Sequence, residues 1–562
     1  MRRIKNYILS LLLFSFFISN FVYGSLTWPT GGSSVTKGKF TILQVMHYKD
    51  PDTYPNLDTA PNDKGKLYDV IEFQNHMQEQ GWTLAMEHKD TQVTLNDFIT
   101  CSAGALYFAG HGTYEGGIVL SPGGVDTKYY SNDLVAWGGV KWVFFSSCDT
   151  LNDIGNWFNT FTKSSGTVHT MCGFWGEVYT GDLNKMMPYV MEYLFGNKNA
   201  GISQLSVWES WKLGAQIYDM PWQIYFVKSA QNEKITNPLT ISQYDVWEAN
   251  CYTGPNWDGT PVPIDPSITS TTRGAVDDNP TDVTSQKITK TLNKGRISLD
   301  YHKPRKLKMY AITSISPEIK DYNAYERNFY AKFGGKLNLY SLRKVETETK
   351  VGYSNNVEDV QYYKPTGAIF YHRGLSQQYL EDFIANNKKA NNGGVKKIAR
   401  DFIDEYGGGL PDDGVLDGIH PVVLKNMRTG ERKVQSYLLH FEKRINGIKV
   451  AGSGADGITV EVDADGIAYY QRLWRNYEIN KNVTLSEEQI IDEDKALEQN
   501  YAGVSARYGG TKEKPLKINE VNLVYKASRF DDNSNIAIPA WEYKNESGVA
   551  IYLNAATGEI LD

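Results

Sequence analysis

Cysteine is scarce: 4 residues in 562, at positions 101, 148, 172 and 251. That is too few for a disulfide framework in so long a chain, and none stands in a CxxC or Cys/His metal-ligand spacing. Runs of Lys and Arg are also missing, and the 65 acidic residues outnumber the 58 basic ones. The net charge of -7 therefore argues against general affinity for nucleic acid. Beyond the first two dozen residues no apolar stretch is long enough to span a bilayer. What remains is ordinary for folded protein: a 41% hydrophobic fraction beside 22% charged residues excludes disorder as the default state. The length exceeds what one hydrophobic core serves, so two to four domains are expected.

The amino terminus is a separate object. Arg2, Arg3 and Lys5 precede an apolar run from Tyr7 to Val22, and Val22-Tyr23-Gly24 offers a cleavage-compatible end. This order describes a secretory signal peptide over residues 1–24, with an uncleaved signal anchor as the alternative. The mature protein is then expected outside the cytoplasm, with no transmembrane segment. An oxidising compartment permits one or two disulfides among the four cysteines.

Hydrophobic patterning then alternates strand and helix from residue 39 to 252. Strands are predicted at Thr41–His47, Thr83–Glu87, Ala105–Ala109, Val140–Phe145, Thr167–Cys172 and Gln223–Val227. Helices are predicted at Leu67–Gln80, Asn152–Phe161, Asn184–Phe195 and Gln204–Ile217. Such alternation implies βαβ units, hence an α/β domain with a mostly parallel sheet covered by helices. Residues 253–300 gather Pro, Thr, Ser and Asp and lose hydrophobic period, which reads as a linker. Three α-plus-hairpin modules are expected after it, at 304–375, 376–478 and 479–562. Their hairpins turn at Gly367, Gly466 and Gly558, and helical patterns precede them at Tyr322–Phe333, Gly394–Tyr406 and Ser486–Tyr501.

Chemistry concentrates at two strand ends. Leu106–Ala109 runs into Gly110-His111-Gly112, and Trp142–Phe145 runs into Ser146-Ser147-Cys148-Asp149-Thr150. Residues just past the carboxyl ends of parallel strands line one crevice, where ligands bind. An imidazole there can favour the thiolate or protonate a leaving amine. Backbone N–H groups of Gly112 and Cys148 are candidates for an oxyanion hole. A Cys148–Cys172 disulfide stays open as a rival and would remove the nucleophile. His47, Glu87, His88 and Asp90 lack a tight ligand spacing, so no metal is expected. Asp463 and Asp465 lack the ligand order of a calcium loop.

A hydrophobic strand ending in His-Gly, followed by another ending in small-small-Cys, resembles the caspase-like (clan CD) cysteine peptidases, the CHAT branch and gingipains among them. The resemblance covers roughly residues 40–230. It implies Cys148 as nucleophile, His111 as general acid/base, a protein or peptide substrate and no cofactor. Ser147 stands where the family more often has Ala. In the second half, Gly367-Ala-Ile-Phe370, Phe441–Val450 and Pro539-Ala-Trp541-Glu-Tyr543, with the ending Leu553–Ile560, resemble PepSY and thermolysin-propeptide-like (FTP) modules. By that resemblance 376–478 is FTP-like and 479–562 PepSY-like, and such modules act as inhibitors, folding aids or interaction surfaces. Intramolecular inhibition is therefore one expected role, although here the modules follow the catalytic domain. The rival class is a non-enzymatic exported binding protein built on an inactive caspase-like scaffold.

Overall fold

The computed structural model describes residues 38–561 except 58–64, 252–286, 303–308, 317–342, 383–393 and shorter stretches. The signal peptide expected at 1–24 and the helix expected at 322–333 lie outside the described residues. The first half opens with β1 (Lys39–Gln44), α1 (Tyr68–Glu79), β2 (Thr83–Lys89), α2 (Leu95–Ile99) and β3 (Ala105–Ala109). A small antiparallel sheet follows, of β4 (Gly112–Thr113), β5 (Gly117–Leu120) and β6 (Thr127–Tyr130). Then come β7 (Trp142–Ser146), α3 (Ile154–Lys163), β8 (Thr170–Phe174), α4 (Thr180–Phe195) and α5 (Val207–Ile217). β9 (Trp222–Val227) and β10 (Val246–Cys251) complete this half.

Parallel pairing sets the order β2–β1–β3–β7–β8. β9 adds antiparallel to β8, and β10 antiparallel to β9. β3 and β7 are buried at every position, which is why they read as unbroken apolar runs rather than alternating ones. Tyr107 and Phe144 face a layer with Phe73 of α1, Met187 of α4 and Trp211 of α5. Leu106, Phe108, Val143 and Phe145 face the other way, against Phe98, Ile118, Trp157 and Phe161. Each such aromatic contributes about 1.5–3 kcal/mol by leaving water.

The second half supplies β11 (Lys287–Leu292), β12 (Ile297–His302), β13 (Met309–Ser316), β14 (Arg343–Glu346) and β15 (Lys350–Ser354). Next are β16 (Glu358–Tyr363), β17 (Ala368–Arg373), α6 (Gly394–Glu405), β18 (Gly414–Asn426) and β19 (Arg432–Ile445). β20 (Ile448–Ala451), β21 (Gly457–Asp463), β22 (Gly466–Leu473) and β23 (Asn476–Ser486) lead to α7 (Glu493–Gln499) and α8 (Tyr501–Tyr508). β24 (Leu516–Lys526), β25 (Ile536–Asn545), β26 (Ala550–Asn554) and β27 (Ile560–Leu561) end the chain.

β10 does not close the sheet. It pairs antiparallel with β18, from Trp247↔Asn426 to Cys251↔Val422. The ladder continues β18–β19–β21–β22–β17–β16–β15–β14, antiparallel throughout. The fold is therefore mixed α/β with a large, mostly antiparallel sheet. The expected mostly parallel sheet is corrected to the five strands β2–β1–β3–β7–β8; hairpins from far along the chain extend the same sheet, and such non-local pairing leaves no trace in local periodicity. α6 covers one face of this extension through Val395, Ala399 and Ile403.

Of the linker expected at 253–300, residues 253–286 lie outside the described residues, and the part from Lys287 on is corrected. β11 and β12 form an antiparallel hairpin, and Ile297, Leu299 and Tyr301 alternate into a core with Leu516 and Trp541. β12 pairs parallel with β24, which continues antiparallel through β25 and β26 to β27, and α7 packs there through Ala496 and Leu497. The charged residues Lys287, Lys290 and Asp300 conceal that period of two in the sequence. Of the helix expected at Ser486–Tyr501 only α7 is α-helical; Ser486 still belongs to β23, and α8 begins where the expected span ends, at Tyr501. The predicted turn glycines do adopt the left-handed conformation, at φ 76° for Gly367, 106° for Gly466 and 77° for Gly558. The halves are tied by a buried ion pair, Lys212 Nζ of α5 to Glu461 of β21 at 2.6 Å. No helix among the described residues is long and apolar enough to cross a membrane.

Candidate active site

Ala109 of β3 and Ser146 of β7 are register partners at the carboxyl ends of adjacent parallel strands. His111 and Cys148 each lie two residues farther on. The two loops touch: Gly110 N–H donates to the Ser146 carbonyl at 3.3 Å, and a Cβ on Gly112 would collide with the Cys148 carbonyl. Only glycine permits that approach. Asp149, immediately after the thiol, has φ 53°, a left-handed conformation that turns the chain sharply out of β7. Its N–H donates to the Gly176 carbonyl at 3.0 Å. Cys148 is left half-buried. Its Sγ–H donates to the Val178 carbonyl at 3.1 Å, and Val178 N–H donates to the sulfur at 3.3 Å.

The loop after β1 lies over His111. His111 N–H donates to Tyr48 Oη at 2.8 Å, and the Tyr48 hydroxyl donates to the Val45 carbonyl at 3.1 Å. Burial pushes the Tyr48 phenol well above its ordinary range, so it stays a neutral donor. The rings of Tyr48 and Tyr54 stand 4.8 and 6.0 Å from the imidazole, centroid to centroid. Two carboxylates pin this loop. Asp90, itself at φ 48°, accepts N–H bonds from Met46 at 2.7 Å and His47 at 2.9 Å. Asp126 accepts from Lys49 at 3.0 Å and Asp50 at 2.8 Å. Desolvation raises the Asp126 carboxyl, but these N–H bonds and Ser121 together hold it below the usual range.

One layer beneath the strand ends sits Asp69, buried in the first turn of α1. Its Oδ2 accepts the Tyr107 hydroxyl at 2.7 Å and the Ser146 hydroxyl. Burial pushes its carboxyl up, and the hydrogen bonds from Ser146 and Tyr107 oppose that push.

Several residues singled out in the sequence are elsewhere. Cys101, Cys148 and Cys172 all stand as thiols. Cys172 lies opposite Phe144 within the sheet, four residues short of Cys148, a rise of about 13 Å along the strands. Burial pushes its thiol well up. His169 stands before β8, at the opposite edge from the crevice, and pairs with Glu233 at 2.8 Å in the core. His47 pairs with Asp90 at 3.0 Å, Lys66 with Glu87 at 2.9 Å and His88 with Asp97 at 3.2 Å. Sequence reasoning missed Tyr48, Tyr54, Val178 and Asp69. An acid in a helical first turn reads as a helix-dipole residue, and loop aromatics carry no period, so none had a signal of its own.

No protein-family model matches the chain, and no curated protein does. Solved structures similar to it include an uncharacterized protein from Eubacterium rectale, 12% identical, covering 49% of this chain and 93% of its own, at a TM-score of 0.30. Another is YycH from Bacillus subtilis, 13% identical, covering 68% of this chain and 94% of its own, at a TM-score of 0.27.

Proposed function

We propose that the protein is an exported, caspase-like cysteine peptidase that uses His111 and Cys148 as its dyad. One observation carries this reading: both side chains stand two residues past the ends of register-paired parallel strands, with Gly112 packed on the Cys148 backbone. In the reaction the Cys148 thiol gives its proton to His111 as its sulfur bonds to the carbonyl carbon of a protein or peptide substrate. The C–N bond then breaks as His111 delivers a proton to the departing amine. Water, giving its proton to His111, next releases the acid and restores the thiol. The N–H groups of Gly112 and Cys148 hold the oxyanion. The PepSY/FTP-like second half restrains the site from within the same chain.

A specific observation favours the alternative of a binding protein on an inactive scaffold. The Cys148 sulfur is engaged by backbone, donating to the Val178 carbonyl at 3.1 Å and accepting the Val178 N–H at 3.3 Å. Iodoacetamide labelling of the native protein across pH, with peptide mapping and a His111→Ala control, separates the two. Selective labelling of Cys148 near neutral pH, slowed by His111→Ala, is the expected result. Labelling that begins only on unfolding sinks the peptidase reading and leaves the binding protein.

A further inference from the structure

The strands that carry the candidate dyad share a side-chain tether that the proposed mechanism does not use. Tyr107 is in β3, four residues before His111, and Ser146 ends β7, two residues before Cys148. Both hydroxyls donate to the same oxygen, Asp69 Oδ2, which no backbone ladder requires. Asp69 reaches them from a third element, α1, whose own first turn is fixed by a hydrogen bond from Asp69 N–H to Asn184 Oδ1 at 3.3 Å. Beyond the last register pair, Ala109↔Ser146, the ladder keeps one bond, Gly110 N–H to the Ser146 carbonyl at 3.3 Å, before both strands give way to loops, and a sheet ladder alone leaves such strand ends some freedom to shear. A buried carboxylate bonded to both strands removes that freedom, because either hydroxyl left alone in the core loses its partner.

We propose that Asp69 is a positioning residue that locks the strand of His111 to the strand of Cys148 and so sets how the imidazole addresses the thiol. The proposal rests on the peptidase reading of the same site. It separates Asp69 from an ordinary buried helix acid, whose loss would lower stability without changing how His111 and Cys148 depend on each other.

The test is a double-mutant cycle on the full chain, read as the rate of Cys148 alkylation by iodoacetamide at neutral pH, with thermal melting followed by circular dichroism as the check of folding. Asp69→Asn is expected to slow alkylation roughly tenfold, and His111→Ala added to it slows the reaction no further. A folded Asp69→Asn protein that alkylates at the wild-type rate, or in which His111→Ala costs the same factor as in the wild type, overturns the proposal. If Asp69→Asn does not fold, Ser146→Ala replaces it in the same cycle, with a loss of about threefold and the same non-additivity expected. Additive effects there overturn the proposal equally. Wild-type alkylation that is indifferent to His111→Ala overturns the peptidase reading and this proposal together; His111 dependence with an additive cycle overturns this proposal alone.

Discussion

The parallel stretch β2–β1–β3–β7–β8 and the antiparallel stretch from β9 to β14 belong to one sheet, yet their edges differ. Every strand of the parallel stretch ends at the same edge, so the segments at 110–113 and 147–150 gather there with Trp175, Gly176 and Val178. In the antiparallel stretch starts and ends alternate, and tight turns at Gly367, Gly430 and Gly466 close three of the gaps. The lesson is that chain direction decides where loops can crowd. The crowded edge holds a thiol, an imidazole and an Asp149 in the left-handed conformation.

The sharpest break falls at the seam between these stretches. Lys212 and Glu461 are buried, and Glu461 also accepts the Ser436 hydroxyl at 2.5 Å. Glu461→Gln leaves the ammonium without its counter-charge, and urea unfolding is expected to show a loss of about 3–5 kcal/mol. Next in size is a matched pair of glycine changes. Gly112→Ala drives a methyl into the Cys148 carbonyl and should cost about 2–3 kcal/mol, together with Cys148 alkylation. Gly430→Ala, in the turn between β18 and β19, meets nothing within 4 Å and strains only its φ of 74°, for about 1 kcal/mol. Equal losses at the two sites would erase the contrast between a crowded edge and an open one.

The smallest effect is a slope. In the antiparallel stretch Asp359 and His372 are buried with Oδ1 and Nδ1 at 3.9 Å. Burial pushes the Asp359 carboxyl up to about 7, so the folded protein keeps a proton that the unfolded chain has lost, and this contribution declines as pH rises from about 4 to 7. Burial, with Lys212 and Arg373 adding to it, pushes the His372 imidazole down to about 3. Its contribution is therefore lost as pH falls from 6.5 toward 3, and the two slopes oppose each other. Asp359→Asn removes one of them. Relative to wild type, the variant's stability should climb with pH by at most about 1.4 kcal/mol per unit between pH 4 and 6.5, as urea titrations would show. Parallel curves would mean that Asp359 does not hold its proton in the fold.

Legibility followed the same division. β3 is legible to the residue at Ala105–Ala109, because a strand buried on both faces needs apolar side chains without interruption. The three hairpin glycines were legible because their backbone angles exclude most other residues. For the candidate site, positions 111 and 148 could be named because a strand end is a local feature. Tyr48 and Asp69 could not, since each reaches its partner across a long stretch of sequence, 63 residues to His111 and 77 to Ser146. The union of β10 with β18 was equally hidden: its strands are ordinary in themselves, and nothing in Val246–Cys251 announces a partner so far along the chain.

That union has a consequence for any proteolytic maturation of the chain. Both edges of β10 are occupied, by β9 of its own half and by β18 of the other. A cut between residues 252 and 286 would divide the polypeptide without dividing the fabric, leaving two fragments that travel together until denatured. Release of a free amino-terminal half would require peeling a five-pair ladder and undoing the Lys212–Glu461 pair, so nicking alone would act as a mark on the molecule rather than as its separation into parts.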